Sequence, residues 1–289
     1  MGVDARIVVY ARSEKVAQDA CAAAFERIAQ LDSMMSDYRK DSELNRLCDN
    51  AGGPPVQVSP ELFKVFQRAE EVSRRSDGAF DITVGPLVQL WRAARKSGVL
   101  PTQAQIYAAR ALAGWQKVHL NRRDRSVRLE VARMRLDLGG IAKGYADDEA
   151  QKVLKAHGIS RALVEMGGDI VVSDPPPGEK GWFVRVPNAM TGRPGAPEQP
   201  VDMALANCAI SSSGDTEQFV VIGGKRYSHI VDPRTGWALT SRVQVSVIAK
   251  DGFTSDPLTK AVTMLDTSAR ARFLTAYRGV KTYVRTMVD

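Results

Sequence analysis

The hydrophobic positions along the first part of the chain change between the two-residue period of a strand and the spacing of a helix. Residues 3–10 alternate between apolar and polar side chains and predict a strand. Residues 13–33 place apolar side chains every three or four positions and predict a helix. Ser59 as N-cap, with Pro60 at the first helical position, predicts another helix that runs to about residue 76. The chain is therefore expected to open with a strand followed by helices.

The later part of the chain is dominated by short alternating segments separated by turn residues. A hairpin is predicted where 118–120 is followed by 127–131, and it should lead into a strand that ends at Asp137. Further strands are expected at 162–166, 170–172, 201–205, 209–212, 219–222, 226–231, 243–247 and 281–285. Helices are expected at 101–113, 256–265 and 268–277, and loops at 92–98, 174–181 and 187–200. This mixture predicts an α+β fold with mostly antiparallel sheets flanked by helices.

One stretch, residues 135–148, has the features of a ligand-binding turn and reads RLDLGGIAKGYADD. An apolar run ends at Asp137 and a helical pattern follows two glycines, so we expect a strand that turns into a helix. Gly139 and Gly140 would let a ligand approach the backbone, and the helix start would favour an anion such as phosphate. Lys143 would add positive charge there. The alternative is a plain glycine turn with an exposed Lys143 and a helix-capping Asp137.

Three other clusters carry candidate chemistry. Residues 211–215 read SSSGD and are small and polar at a predicted strand end. His229 precedes a DPRTG turn, which favours a site residue, whereas a lone His within a strand is more often structural. Asp256 begins a predicted helix, and Thr259 and Lys260 follow on the same face. Asp256 is expected either to bind an oxygen-coordinated Mg²⁺ or to cap its helix.

The composition excludes several classes of protein but does not indicate a function. The 289 residues are 44% hydrophobic and 25% charged, which is ordinary for a globular protein. The net charge is +7, but Lys and Arg are scattered and not interleaved with aromatic residues, so no nucleic-acid partner is expected. Cys21, Cys48 and Cys208 are widely spaced and lack CxxC motifs, which argues against a disulfide framework and a zinc site. No apolar run is long enough to predict a transmembrane segment.

Taken together, these segments resemble the FAD:protein FMN transferase family, also called ApbE-like flavin transferases. The resemblance covers nearly the whole chain, and its motifs stand in family order. They are MG at 1–2, MSDY at 35–38, SELN at 42–45, GAFDITVGPL at 78–87, DLGGIAKGYA at 137–146, MGGDI at 166–170, SSGD at 212–215 and YSHIVDPRTG at 227–236. The resemblance implies an ApbE-like, T-fold-related α+β fold. Residues 1–289 would then form a single domain, or two intertwined α+β lobes.

The resemblance also implies an activity and residue roles. Family members transfer FMN from FAD to a Ser or Thr hydroxyl of a target flavoprotein, release AMP and use Mg²⁺. His229 matches the candidate base that accepts the hydroxyl proton. Metal ligands match the carbonyl of Gly140, the carboxylate of Asp256 and a Thr four residues later. Positions expected to line the FAD site are Met1, Tyr38, Ala79, Phe80, Asp81, Asp137, Lys143 and Ile230.

The sequence departs from the family at the position of the third expected metal ligand, four residues after Asp256. It has Lys260 where the family has Thr. An ammonium group cannot coordinate Mg²⁺. Either Thr259, one residue earlier, replaces the missing ligand, or Lys260 supplies the positive charge itself. The main hypothesis is a flavin transferase. The alternatives are an FAD-binding protein and an FAD pyrophosphatase with altered or absent metal dependence.

Tyr38, in a predicted loop, is expected to stack on a flat ring or to close the core. The expected partners are FAD and a target flavoprotein with an acceptor Ser or Thr. The family resemblance implies a location in the cell envelope or periplasm. The N-terminus reads directly into a strand without a leader pattern, so a cytoplasmic location is the alternative.

Overall fold

The computed structural model describes residues 2–186, 201–214 and 219–287. Met1, the predicted loop at 187–200 and Asp215 of the SSGD motif lie outside the described residues. The helices of the described part are α1 (Glu14–Met35), α2 (Glu43–Asp49), α3 (Pro60–Arg75), α4 (Gly85–Ser97), α5 (Gln103–Ala111), α6 (Ala142–Ala156), α7 (Gly252–Met264) and α8 (Thr267–Leu274). Short 3₁₀ turns occur at Ile82–Val84 and Trp115–Lys117. Within these ranges, none of the helices combines the length and apolarity needed to cross a membrane.

The strands of the described part are short, as their alternating patterns predict. They are β1 (Ala5–Tyr10), β2 (Val56–Gln57), β3 (Val118–Asn121), β4 (Ser126–Leu129), β5 (Arg161–Met166), β6 (Asp169–Val172), β7 (Trp182–Val186), β8 (Val201–Leu205), β9 (Cys208–Ser213), β10 (Phe219–Ile222), β11 (Lys225–Ser228), β12 (Arg242–Ala249) and β13 (Lys281–Met287). All described pairings between these strands are antiparallel. The expected α+β class with antiparallel sheets is confirmed.

A six-stranded sheet with the order β1-β5-β6-β9-β12-β13 forms the centre of the fold. Its register gathers polar residues that are distant in sequence. Asp169 on β6 lies opposite Ser211 on β9, and Ser212 lies opposite Ser246 on β12. The Ser212 and Ser246 hydroxyls are 2.8 Å apart. The MGGDI and SSGD motifs therefore meet at one end of this sheet.

Helix α6 links this sheet to the other helices, because it packs on α1, on α7 and on strands β5 and β6. Small residues make the contact with α1 close. Ala20 and Ala24 of α1 are fully buried in a cluster with Ala150 and Leu154 of α6. The predicted caps also form, since Ser59 Oγ accepts from Leu62 N at 3.3 Å at the start of α3.

The expected strand before Asp137 is wrong. Residues 134–138 belong to no helix or strand in the described part of the chain. Leu136 N donates to the Sγ of Cys48 on α2 at 3.3 Å, and Asp137 N donates to Ile82 O at 2.8 Å. Leu136 and Leu138 are both buried, so an apolar pattern that resembles a strand reflects packing against a helix and a 3₁₀ turn.

The expected start of α7 at Asp256 is also wrong. The helix begins at Gly252, so Asp256 lies in its second turn and does not cap it. The cap comes from a distant residue: Asp148 on α6 accepts from Gly252 N and Phe253 N, each at 2.8 Å. Because these contacts satisfy the first N–H groups, the helix can begin before the Pro257 that marks its start in sequence.

Two smaller corrections concern the cleft described below. Residues 92–98 were expected to form a loop, but α4 continues to Ser97 and ends at Gly98 with a φ of 69°. The basic side chains there lie on a helix face. The strand expected at 226–231 ends at Ser228, which places His229 in the turn that follows β11.

Candidate functional site

A cleft of about 680 Å³ opens at the ends of strands β5, β9 and β12. The predicted site residues that line it are Tyr38, Ala79, Phe80, Asp81, Asp137, Gly140, Lys143, His229, Ile230 and Lys260. Asp256 and Thr259 lie behind this wall and are fully buried. A cleft of this volume is large enough for a dinucleotide.

One end of the cleft carries an exposed aromatic ring held by an ion network. Tyr38 is 64% exposed, so it does not close the core. The Arg92 guanidinium lies 4.4 Å from its ring centroid. Arg92 also donates to Asp37 Oδ2 at 2.6 Å and to Asp137 Oδ2 at 3.4 Å. Burial opposes the charge on Arg92, but the hydrogen bond to Asp37 and the charge of Asp137 outweigh it and raise the pKa. This end of the cleft suits a flat ring system.

Residues 79–81, which read AFD, form one wall of the cleft. Ala79 and Phe80 are buried, and the Phe80 ring packs beside Gly140. Asp81 Oδ1 accepts from Thr83 N at 2.8 Å, and its Oδ2 accepts from Trp115 N at 2.9 Å. Burial raises the pKa of Asp81, and these hydrogen bonds oppose that shift. Both oxygens of Asp81 are therefore used to shape the wall.

The double-glycine turn is held by the residues on either side of it. Asp137 Oδ1 accepts from Gly139 N at 2.8 Å, and Lys143 Nζ donates to Gly139 O at 2.8 Å. Lys143 Nζ also lies 3.0 Å from Asp169 Oδ2 and 3.6 Å from Asp256 Oδ2. Burial acts against the charge of Lys143, but these two carboxylates outweigh it and raise the pKa. Lys143 therefore faces the cleft as a cation that the protein has already neutralised.

Lys260 reaches from α7 into the same part of the cleft. Its Nζ donates to Ser213 Oγ at 3.0 Å and to Thr259 Oγ1 at 3.3 Å. Its stem lies against the glycine turn, since a Cβ added to Gly140 would be 3.0 Å from Lys260 Cγ. Burial lowers the pKa of Lys260, and the charge of Asp256 opposes that shift. The ammonium of Lys260 therefore lies beside Gly140, whose backbone carbonyl was expected to bind a metal.

The side chains behind the turn do not fit a protein-held Mg²⁺. The Thr259 hydroxyl donates to Asp256 O at 2.7 Å, so it is turned into its own helix. Asp256 Oδ2 accepts from Gly144 N at 3.2 Å. Its buried Oδ1 has no hydrogen-bond partner in the described part of the chain and is the oxygen of Asp256 left for a cation. However, the Lys143 ammonium lies 3.6 Å from the same carboxylate, and Lys260 stands where a third ligand was expected. Because an ammonium cannot coordinate Mg²⁺, these two cations occupy the surroundings expected for the metal. In residues 2–186, 201–214 and 219–287, no group of three His, Cys, Asp or Glu is placed to hold a metal.

His229 lies on the rim of the cleft in a well-fixed turn. It is half-buried and is followed by the buried Ile230. In the turn that follows, Gly236 N donates to Asp232 O at 2.7 Å. Trp91 of α4 donates from Nε1 to Gly236 O at 2.9 Å. The imidazole is therefore presented to the cleft by a rigid support, which suits a proton acceptor.

Two adjacent carboxylates on α6 have unusual surroundings that the sequence did not reveal. Asp148 caps α7, and its burial raises its pKa to about 7, although the N–H groups of Gly252 and Phe253 oppose this shift. Asp147 is fully buried, and neither of its oxygens has a hydrogen-bond partner among the described residues. Burial and the charge of Asp169 raise the pKa of Asp147 well above its usual range.

Arg92 is a cleft-lining residue that sequence reasoning missed. A signal was present, because Val84, Val88, Arg92 and Arg95 follow helical spacing and all four line the cleft. The segment was expected to be a loop from residue 92 onward, so this helix face was not recognised.

Fold and site together define an α+β protein whose cleft pairs a ring-binding end with a glycine turn and a lysine. The sequence model of the ApbE family matches residues 1–284, and the chain belongs to that family. The family prediction made from the motifs is confirmed.

Relatives and solved structures agree with this assignment. The chain is 33% identical to an FAD:protein FMN transferase from Vibrio cholerae, over 80% of this chain and 69% of the relative. It is 31% identical to one from Klebsiella pneumoniae, over 89% of this chain and 77% of the relative. The structure of the flavin transferase ApbE from Vibrio cholerae matches with a TM-score of 0.85 and 28% identity, covering 100% of this chain and 92% of that one.

Proposed function

We propose that this protein is an FAD:protein FMN transferase that moves FMN from FAD to a Ser or Thr hydroxyl of a target flavoprotein. The observation that carries the proposal is the cleft. It brings together Tyr38 with Arg92, the Gly139–Gly140 turn with Lys260, and His229. Relatives of this chain are named for the same reaction.

The cleft suits FAD because its two ends match different parts of the molecule. Tyr38 offers an exposed ring backed by Arg92, which favours stacking of an isoalloxazine or adenine ring. The glycine turn lines the cleft, and the cationic side chains of Lys143 and Lys260 beside it suit the charge of a diphosphate. The hydroxyls of Ser212 and Ser213 add hydrogen-bonding groups at the same end.

The chemical step is a displacement at phosphorus. The acceptor hydroxyl oxygen attacks the FMN-side phosphorus of FAD, and a new P–O bond to Ser or Thr forms. The P–O bond to AMP breaks, and AMP leaves with that bond's electron pair. The imidazole of His229 takes the hydroxyl proton, which is later released to water. FAD and the acceptor thus give FMN-acceptor, AMP and one proton.

Mg²⁺ was expected from the family pattern, but the step above uses only residues of this chain, because those behind the glycine turn do not fit a protein-held Mg²⁺. The target is a flavoprotein that presents a Ser or Thr able to enter the cleft. The location of the protein in the cell envelope stays a prediction.

Replacing His229 with Ala tests the assignment of the base. Removing the proton acceptor should lower the rate of transfer by about 100-fold or more, while FAD binding stays within about threefold of wild type. The rate is measured as flavin attached to an acceptor domain that the Vibrio cholerae relative modifies, and binding is measured by flavin fluorescence. His157→Ala is a matched control, since the imidazole Nδ1 of His157 lies 2.9 Å from Val153 O at the end of its own helix and His157 is not among the cleft-lining residues. Loss of FAD binding in His229→Ala, or unchanged transfer, would contradict the proposed role.

A further inference from the structure

Four cationic side chains line the cleft: Arg92, Arg95, Lys143 and Lys260. Three of them, all but Arg95, have side-chain hydrogen bonds or ion pairs among the described residues, and Lys260 differs from the other two of these three. Arg92 is paired with Asp37 and Asp137. Lys143 is paired with Asp169 and Asp256. Both of those cations are therefore balanced by protein carboxylates.

Lys260 instead donates to two neutral hydroxyls, those of Ser213 and Thr259. No ion pair between Lys260 and a carboxylate occurs among the described residues. Two of its three N–H donors are used by these hydroxyls, and the third has no acceptor in the described part of the chain. The ammonium therefore lies in the cleft without a carboxylate in direct contact, and an anion that enters can accept its third N–H.

The position of Lys260 identifies which part of a ligand it would meet. Its Cγ and Cε would lie 3.0 and 3.6 Å from a Cβ built on Gly140. The missing side chain of Gly140 makes room for the stem of Lys260, so the ammonium is held beside the glycine turn. Ser213, which holds the ammonium, also lines the cleft. Arg92 and Tyr38 occupy the ring-binding end, so the segment at Lys260 is the diphosphate.

We propose that Lys260 takes the place of a divalent metal in this enzyme. Its ammonium binds a nonbridging oxygen of the FAD diphosphate and stabilises the negative charge that develops on the departing AMP. FMN transfer then proceeds without Mg²⁺. This inference rests on the proposed function, since it assigns the electrostatic part of the same displacement. The bonds that form and break are unchanged, and Lys260 keeps its proton throughout.

The arrangement explains why two lysines are close together behind the turn. Lys143 forms ion pairs with Asp256 and Asp169, and the charge of Lys260 acts on the same carboxylates, so two ammonium groups offset the two buried carboxylates without a metal. Lys260 does so without direct contact to a carboxylate among the described residues, so its remaining N–H is available to the substrate. A fixed ammonium in a cleft stabilises a developing charge without reorganisation of solvent, as electrostatic catalysis requires.

The test compares wild type, Lys260→Met and Lys260→Thr, each assayed with FAD and the acceptor domain in EDTA and in Mg²⁺. Wild type should transfer FMN at rates that agree within about twofold in the two conditions, because the ammonium is always present. Lys260→Met should lose about 100-fold in transfer rate, while its Kd for FAD in EDTA rises by only about tenfold. Lys260→Thr places a hydroxyl at this position and should become dependent on Mg²⁺, with at least about tenfold stimulation. Lys152→Thr, on the exposed face of α6, is the control and should behave as wild type.

A purely structural role for Lys260 would not create a new response to Mg²⁺, so the Lys260→Thr variant separates the two explanations even if Lys260→Met folds poorly. Wild-type transfer that stops in EDTA and returns with Mg²⁺ would overturn the inference and leave the proposed function intact. Lys260→Met that transfers as well as wild type in EDTA would overturn it in the same way. Absence of transfer by wild type in both conditions, with the acceptor modified by the Vibrio cholerae enzyme in parallel, would overturn the proposed function itself.

Discussion

Helices α6 and α7 meet at Gly144 and Gly252, and this contact leaves no room for a side chain. A Cβ on Gly144 would lie 2.1 Å from Gly252 O and 2.9 Å from Asp256 Cβ. To restore an ordinary contact of 3.4 Å, the helices must separate by about 1.3 Å at this point. The hydrogen bond from Gly144 N to Asp256 Oδ2, now 3.2 Å, would then be broken. Gly144→Ala is therefore expected to destabilise the protein and to displace Asp256 from Lys143.

The size of the effect follows from three contributions. Overpacking costs about 1–3 kcal/mol, and the lost hydrogen bond to a carboxylate about 1.5–3 kcal/mol, while the better helix propensity of Ala returns about 1 kcal/mol. The free energy of unfolding should fall by about 1.5–5 kcal/mol. This is measured by urea denaturation followed by circular dichroism. Lys152→Ala on the same helix is the control and should change stability by less than about 0.5 kcal/mol. A Gly144→Ala protein as stable as wild type would refute the reasoning.

Two further predictions concern ligand binding and pH. Tyr38→Ala should raise the Kd for FAD by about 5- to 100-fold, whereas Tyr38→Phe keeps the stacking ring and stays within about threefold. The exposed Tyr107 on α5 supplies the control, and equal titrations of wild type and Tyr38→Ala by flavin fluorescence would contradict the stacking role. The pKa of Asp147 lies well above 3.8 in the folded protein, so folding retains its proton and the free energy of unfolding falls as pH rises from 3.8 toward neutrality. Asp147→Asn should remove this pH-dependent loss and make the protein more stable than wild type at pH 8. A variant no more stable than wild type in urea at pH 8 would contradict it.

The parts of the fold that depend on local sequence could be predicted, and those that depend on distant contacts could not. The alternating pattern at 201–205 predicted β8 with correct bounds, and Ser59 with Pro60 marked the start of α3, because periodicity and capping act over a few residues. The start of α7 was placed too late because its cap, Asp148, lies on another helix. A sequence pattern holds no information on such a contact.

The candidate site shows the same division. The family motifs and their order along the chain identified most of the predicted residues that line the cleft, including Tyr38 and His229. The ion network of Arg92 was missed, because its partners Asp37 and Asp137 come from separate segments that meet only in the folded chain. The departure at Lys260 was visible in sequence, but only the structure shows that its hydrogen-bond partners are neutral hydroxyls.

The central claim, that the protein transfers FMN from FAD to a protein hydroxyl, is tested most directly by measuring two products of one reaction. Purified protein is incubated with FAD and the acceptor domain, and AMP and acceptor-bound flavin are quantified together, the latter by intact-protein mass spectrometry. The account predicts one AMP for each FMN attached to the acceptor, and no attachment when the acceptor Ser or Thr is replaced by Ala. Intact FAD, or AMP released together with free FMN and an unmodified acceptor, would contradict it.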